Sequence, residues 1–260
     1  MEIVVLLKQV PDTESMISVA DDGVSIKTDD IKWVISPYDE FAVEEALRIR
    51  DAGGGKVTIL TVGGDKAVEA IRTALAMGAD EGVLINDPAA AGCDGLGTAR
   101  VLAAALKQMP YDLIIAGQRA VDDDNFLVGT AVAEYLDIPN ISLVNKQEIA
   151  DGKIRCQRTI EGGVVVLEAA LPALFTTQRG LNEPRYASLP GIMKAKKKPL
   201  ATKTLADIGI DAADIAEPGA KIVSLQPPPA RQGGRLVEGE TAQEKAAELI
   251  RLLSEEAKVL

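Results

Sequence analysis

Histidine is entirely missing from the 260-residue chain. That absence removes the usual general base near neutral pH, the commonest metal ligand, and every Ser-His or Cys-His nucleophile arrangement. Paired carboxylates or lysine could still act, but no pair carries a reason to be tuned, so the composition favours binding or carrying over catalysis. Cysteine is nearly absent too. Cys93 and Cys156 stand far apart and in no CxxC arrangement. A zinc site, an iron–sulfur cluster and a disulfide framework therefore lack ligands, and both residues read as buried or half-buried thiols. No apolar run reaches the about 18 residues of a membrane span. The N-terminus, Met1-Glu2-Ile3-Val4-Val5-Leu6-Leu7-Lys8, shows neither a basic start nor a small-residue cleavage site. A cytoplasmic location with no direct membrane insertion is the expectation. Cations are the minority, 28 Lys and Arg against 39 Asp and Glu for a net charge of −11. Binding to nucleic acid rests on clustered cations that neutralise phosphates, so no nucleic-acid partner is expected.

What is present is 47 % apolar residues, enough to fill a substantial core. From residue 2 to about 145, short β-branched runs alternate with longer amphipathic stretches, as in crossover units on a parallel sheet. Strands are expected at Ile3 to Leu7, Lys56 to Thr61, Gly82 to Ile85, Leu113 to Ala116 and Ile141 to Val144. Each is a continuous apolar run, as a strand covered on both faces should be. Ser36 before Pro37, three residues ahead of Asp39, predicts a capped helix from about Pro37 to Arg50. Its stop is Ala52-Gly53-Gly54-Gly55. Asp65 is a second candidate cap, for a helix running to Met77 with Gly78 as its end.

Between the first strand and first helix, Asp21-Asp22-Gly23 divides an insert over about 11–34 into two short alternating runs, the signature of a hairpin. From Asp151 the pattern changes to a strand pair, Lys153 to Arg158 and Val164 to Ala169, around Glu161-Gly162-Gly163. The fold class predicted is α/β: a mostly parallel open sheet with flanking helices, added antiparallel strands and an extended C-terminal arm. That arm contains Gln226-Pro227-Pro228-Pro229 and cannot readily build its own core. It ends in a helix begun by a Thr241/Glu244 capping box, with Ala247, Leu249, Ile250 and Leu253 as its apolar face. Two readings stay open: the arm packs on something larger, or it folds back on its own domain.

The segment richest in possible chemistry is Ala116-Gly117-Gln118-Arg119-Ala120-Val121-Asp122-Asp123-Asp124-Asn125-Phe126-Leu127-Val128-Gly129. It leaves a buried strand and leads into a helix continuing to Leu136, so free amides near Asn125 to Val128 would form a phosphate-holding helix start. Asp122, Asp123 and Asp124 repel an anion unless they point away, bind ribose hydroxyls, or serve as turn and cap residues. Thr61-Val62-Gly63-Gly64 and Ser36-Pro37-Tyr38-Asp39 end on the same side of the expected sheet and can converge on one crevice. Gly95-Leu96-Gly97 suggests a dinucleotide fingerprint but lacks an immediately preceding strand and a third glycine, so it carries little weight. Lys194-Ala195-Lys196-Lys197-Lys198 is either a solvated charge run or a patch for an acidic partner.

The stretch Leu181-Asn182-Glu183-Pro184-Arg185-Tyr186-Ala187-Ser188-Leu189-Pro190-Gly191-Ile192-Met193-Lys194-Ala195-Lys196-Lys197 closely resembles the signature of the β subunit of electron-transferring flavoproteins. So does Ile71-Arg72-Thr73-Ala74-Leu75-Ala76-Met77-Gly78-Ala79-Asp80. With Ser36 to Leu47 and Gln118 to Asp124, the resemblance runs through nearly the whole chain in order. It implies an adenine-nucleotide-binding sheet and a heterodimer, whose α subunit holds most of a redox FAD while the β subunit buries a structural AMP. The division implied is a nucleotide-binding domain at 1–183, a dehydrogenase recognition segment at 184–199, and an arm at 200–260 packing on the α subunit. The AMP pocket falls on Leu6, Ser36, Pro37, Tyr38, Asp39, Val62, Gly63, Gly117, Gln118, Arg119, Ala120, Val121, Asp122, Asp123, Asp124, Asn125, Phe126, Leu127 and Val128. Partner recognition falls on Arg185, Tyr186, Leu189, Pro190, Ile192, Met193 and Lys194, with Leu189 as the anchor.

The family commonly has Asn-Gln-Thr where this chain has Phe126-Leu127-Val128, which keeps backbone amides and loses side-chain donors. Thr13 and Thr159 stand where the family commonly has tyrosine and glutamate near the flavin. The expected function is electron relay from acyl-CoA-type dehydrogenases to an acceptor such as a membrane quinone oxidoreductase, with no catalytic residue of its own. One alternative is the β subunit of an electron-bifurcating flavoprotein with a second FAD that oxidises NADH; the ordinary form of Asn182 to Tyr186 argues against it. Another is a freestanding adenine-nucleotide-binding sensor.

Overall fold

The computed structural model describes residues 1–215, 218–230 and 233–260. Two compact units are present, Met1–Leu225 and Gln226–Leu260. In the first, parallel strands β1 (Glu2–Leu6), β4 (Lys56–Val62), β5 (Glu81–Ile85) and β6 (Leu113–Gly117) alternate with helices α1 (Pro37–Gly53), α2 (Ala67–Met77) and α3 (Gly95–Leu106). Helix α4 (Val128–Leu136) then leads to β7 (Asn140–Ala150), β8 (Lys153–Ile160) and β9 (Gly163–Ala170). Strand β10 (Ala173–Thr177), helix α5 (Leu189–Ala195) and strand β11 (Leu200–Lys203) complete the unit. The sheet order is β11-β5-β4-β1-β6-β10-β7-β8-β9. All pairings are parallel except β7 with β8 and β8 with β9.

Alternate side chains of each strand serve opposite faces. Ile3, Val5, Val57, Ile59, Leu113 and Ile115 pack under α1 and α2 with Val43, Leu47, Ile71 and Leu75. Val4, Leu6, Leu60, Ile114 and Ala116 meet α3 and α4 through Ala99, Leu102 and Val132. This double coverage is why the strands read as unbroken apolar runs. Most expected boundaries hold within one or two residues. The insert is framed by a small antiparallel pair, β2 (Gln9–Pro11) with β3 (Trp33–Ile35), and its tip turns at Gly23 with φ of 71°. Asp22 Oδ1 accepts from the amides of Val24 and Ser25 at 3.0 and 2.9 Å. A single bridge, Val19 to Ile26, closes the hairpin.

Several expectations need correction. Helix α1 starts at Pro37 without a side-chain cap: Ser36 Oγ has no partner among the described residues, and the Ser36 carbonyl accepts from Asp39 and Glu40 instead. Asp65 does not cap α2; its carboxylate accepts from Asn86 Nδ2 at 2.6 Å, tying the ends of β4 and β5. Strand β10 went unpredicted, and it separates β6 from β7. Strand β7 is far longer than its apolar start, because beyond Val144 it continues as the antiparallel partner of β8. Leu200–Lys203, expected in the arm, is the edge strand beside β5. Lys198 is no free member of a charge run. Its ammonium donates to the carbonyls of Leu75, Gly78 and Ala79 at the C-terminal end of α2, the negative pole of that helix.

Among its described residues, the second unit has no regular structure before α6 (Ala242–Arg251), where the Thr241/Glu244 capping box forms as expected. The helix then loosens into a π-helical turn over Leu252–Glu256.

Helix α2 lies so close to the sheet that a Cβ on Gly82 would stand 2.4 Å from Ile71 Cγ2. Gly82→Ala is expected to lower stability by about 1–3 kcal/mol through overpacking. Urea unfolding should show a lower midpoint at unchanged slope; an unchanged midpoint would mean that α2 can retreat without cost.

Candidate functional site

Strand order reverses at β1, which has β4 on one side and β6 on the other. In open α/β sheets, ligands lie beyond the strand C-termini at such a switch point. A cleft of about 1570 Å³ opens there. Leu6 and Lys8 line it after β1, Val62 to Gly64 after β4, Asn86 and Asp87 after β5, and Gly117 to Ala120 after β6. At its far end the starts of α3 and α4 come together. A Cβ on Gly95 would lie 3.0 Å from Asn125 Nδ2 and 3.1 Å from Leu127 Cδ2. Asp94 caps α3 by accepting from Gly97 N at 2.9 Å, whereas α4 has no side-chain cap. Of the amides expected to be free, Leu127 N donates to Asn125 Oδ1 and Asn125 N reaches Asp123, while the first-turn amides of α4, Val128 to Thr130, lack an intrahelical acceptor. These amides and the positive pole of α4 suit an anion.

Asp39 in the first turn of α1 holds the near wall. It is buried, and its two oxygens accept from Lys8 N at 2.8 Å and Gly117 N at 2.9 Å. Gly117 admits this approach because any Cβ there would lie 2.3 Å from Asp39 Oδ1. Burial raises the Asp39 pKa to about 7, against the pull of the two amides and of Lys8, with the Asp122 charge adding to the rise.

The loop after β6 is clasped from outside. Arg119 lies between the rings of Tyr38 and Phe126, 5.1 Å from each centroid, and pairs with Asp124 at 2.7 Å. Asp124 and Phe126 take left-handed conformations, with φ of 50° and 55°, to turn the loop back. Lys8 Nζ pairs with Asp122 at 2.9 Å and Asp123 at 3.1 Å. Burial opposes the Lys8 charge, yet these two carboxylates outweigh it and hold its pKa above the usual lysine value.

Of the residues singled out in the sequence, Leu6, Asp39, Val62, Gly63, Gly117, Gln118, Arg119, Ala120, Asp123, Asn125, Leu127 and Val128 line the cleft. Ser36, Pro37, Tyr38, Val121, Asp122, Asp124 and Phe126 do not line it; Tyr38 and Phe126 hold Arg119, and Asp122 holds Lys8. Sequence reasoning passed over the α3 wall, including Cys93, Asp94, Gly95, Leu96 and Thr98, and the segment Pro218 to Ile222. The signal for α3 was Gly95-Leu96-Gly97, discounted because no strand immediately precedes it and a third glycine is missing; in the structure a short 3-10 turn, Pro88–Gly92, separates β5 from the helix. The thiols are as expected, Cys156 buried with its pKa pushed up to about 12 by burial and Cys93 half-buried in the cleft wall.

A family model described as electron transfer flavoprotein domain matches residues 24–208. Over the whole of both chains, the sequence is 45 % identical to the electron transfer flavoprotein subunit beta of Bacillus subtilis strain 168. The chain belongs to the electron transfer flavoprotein family. It is also 37 % identical, again over both full lengths, to the subunit beta of Bradyrhizobium diazoefficiens. Identity to that of Syntrophomonas wolfei is 42 %, covering 92 % of this chain and 91 % of the relative.

In this beta-type flavoprotein chain, the signature over 181–197 is tied to α1 and α2. Asn182 and Arg185 hydrogen-bond to α1, and Arg72 of α2 donates to the carbonyls of Ala195 and Lys198. Ser188 caps α5 by accepting from Gly191 N at 3.1 Å. Between the two anchored ends, Tyr186, Leu189 and Met193 are 98, 79 and 73 % exposed. Pro190, Ile192 and Lys194 belong to the same short helix.

The folded chain holds the Asp39 proton up to about pH 7, while the unfolded chain releases it near 3.8. The native state therefore binds more protons between these values, and stability falls as pH rises through that window. Asp39→Asn is expected to flatten this part of the stability curve in urea titrations. An unchanged slope would mean that the two amides keep Asp39 ionised throughout.

Proposed function

We propose that the chain is the beta subunit of a heterodimeric electron transfer flavoprotein that relays electrons from acyl-CoA-type dehydrogenases to a downstream acceptor such as a membrane quinone oxidoreductase. In this reading the cleft holds a structural AMP, and an alpha subunit holds most of the FAD. One observation carries it: every carboxylate lining the cleft is already engaged. Asp39, Asp87 and Asp94 accept from backbone amides, and Asp123 pairs with Lys8. Carboxylates held in this way suit walls that seat a ligand rather than transform it.

An adenine nucleotide suits these walls. The Val128 to Thr130 amides would hold its phosphate in place of the side-chain donors lost at Phe126-Leu127-Val128, and the apolar surfaces of Leu6 and Val62 would flank its base. The bound flavin supplies the one- and two-electron chemistry; this chain supplies the seat, the rigidity and the surface that partners meet. Leu189 is the proposed anchor of that surface, with Tyr186 and Met193 beside it. A cytoplasmic site of action accords with the absence, among the described residues, of any helix long and apolar enough to cross a membrane.

The reading is tested by co-expressing the chain with its alpha partner, denaturing the purified complex, and counting released nucleotides by mass spectrometry. One FAD and one AMP per heterodimer are expected. Two FAD would replace this reading with the bifurcating one, in which the cleft holds the second flavin. FAD without AMP would remove the nucleotide from this chain.

A further inference from the structure

The exposed tip at Tyr186, Leu189 and Met193 is held at its root by a pair of buried carboxylates on α1. Glu44 and Glu45 are 5 and 3 % exposed, in the middle of a helix where apolar side chains would ordinarily pack. Glu44 receives Arg185 in a fork, Nε to Oε2 at 2.8 Å and Nη2 to Oε1 at 3.0 Å, and also accepts from the Arg185 backbone amide at 3.1 Å. Glu45 accepts from Asn182 Nδ2 at 2.8 Å, from Gln147 Nε2 of β7 at 2.7 Å, and from Arg48 at 3.2 Å. Asn182 Nδ2 also reaches the Phe41 carbonyl at 3.0 Å. The root of the segment is thereby fixed to α1 by both side chains and main chain.

Buried ion pairs add little net stability, since the cost of desolvating them offsets most of their attraction; what they supply well is a single geometry. The segment they fix is short, lacks regular structure before α5, and is the one that presents the exposed apolar tip. A tip already ordered before contact avoids the entropy loss that a loose loop would suffer on binding. We propose that Glu44 and Glu45 are positioning residues for docking: they preorganise 182–186 so that the Tyr186, Leu189 and Met193 tip meets an electron-donating dehydrogenase in its bound shape. This inference rests on the docking role given to that tip above. It also reassigns Arg185, whose guanidinium is committed to Glu44 and to Asp51 at 3.1 Å, from a partner contact to part of the root.

The test uses the intact alpha–beta complex as the electron acceptor of a purified acyl-CoA dehydrogenase. KM and kcat for the complex are measured for wild type, Leu189→Ala, Glu44→Gln and Asn182→Ala, with amide hydrogen exchange over 181–193 read in parallel. Leu189→Ala is expected to raise KM about tenfold or more. Glu44→Gln and Asn182→Ala should raise KM about five- to thirtyfold with kcat within about twofold, and speed exchange at 182–188 while α2 stays protected. Glu44 and Glu45 are too buried to touch a partner, so a KM effect of Glu44→Gln must act through the segment. Should Glu44→Gln fail to give a folded complex, Asn182→Ala, which leaves both carboxylates in place, decides. If Leu189→Ala raises KM and the two root variants do not, preorganisation is wrong and the docking role stands. If Leu189→Ala leaves KM unchanged, the docking role falls and this inference falls with it.

Discussion

Where β1 and β6 run side by side and then diverge, one carboxylate spans their ends. Asp39 takes the amide of Lys8 from one strand and that of Gly117 from the other, and it does so from the first turn of α1. The cleft depends on this join. Without it the loops after β1 and β6 would have no common wall, and the helix start would have no fixed height above the sheet. The same helix carries Glu44 and Glu45 about 7–9 Å further along its axis, at 1.5 Å per residue. One rigid element thus sets both the floor of the cleft and the root of the exposed tip.

Several cations of the first unit are held by internal partners, despite the large acidic excess. Lys8 is absorbed by Asp122 and Asp123, Arg119 by Asp124 and two aromatic rings, Lys198 by the end of α2, and Arg185 by Glu44. Each pair joins segments far apart in sequence or closes a turn. Each of these cations is thereby held in one place by groups of the same chain.

The sheet and its helices were legible because parallel strands covered on both faces leave unbroken apolar runs, and Ile3 to Leu7 or Leu113 to Ala116 could hardly be anything else. Strand β10 was not, since Ala173-Leu174-Phe175-Thr176-Thr177 is short and its neighbours in space are far away in sequence. The cleft loops were legible from their place at strand ends. The opposing wall at α3 was hidden by the turn between β5 and the helix. Ser36 and Asp65 had the right chemistry for caps, but tertiary partners claimed the neighbouring groups: Asp39 turned to the strand ends and Asp65 to Asn86. Arg185 was assigned to partner recognition by resemblance, and its pairing with the buried Glu44 could not be read from the sequence, because nothing in a sequence shows that Glu44 is buried.

Strand β10 sits between β6 and β7 with all five of its residues buried. It is made late, yet the middle of the sheet waits for it. Until residue 177 has left the ribosome, β6 has no neighbour on that side and β7 has only β8. Nascent chains shorter than this expose two half-sheets with open edges, the state most prone to pairing with the wrong strand. The two halves of the sheet can therefore join only once residue 177 has been made, with the edge strand β11 still to follow.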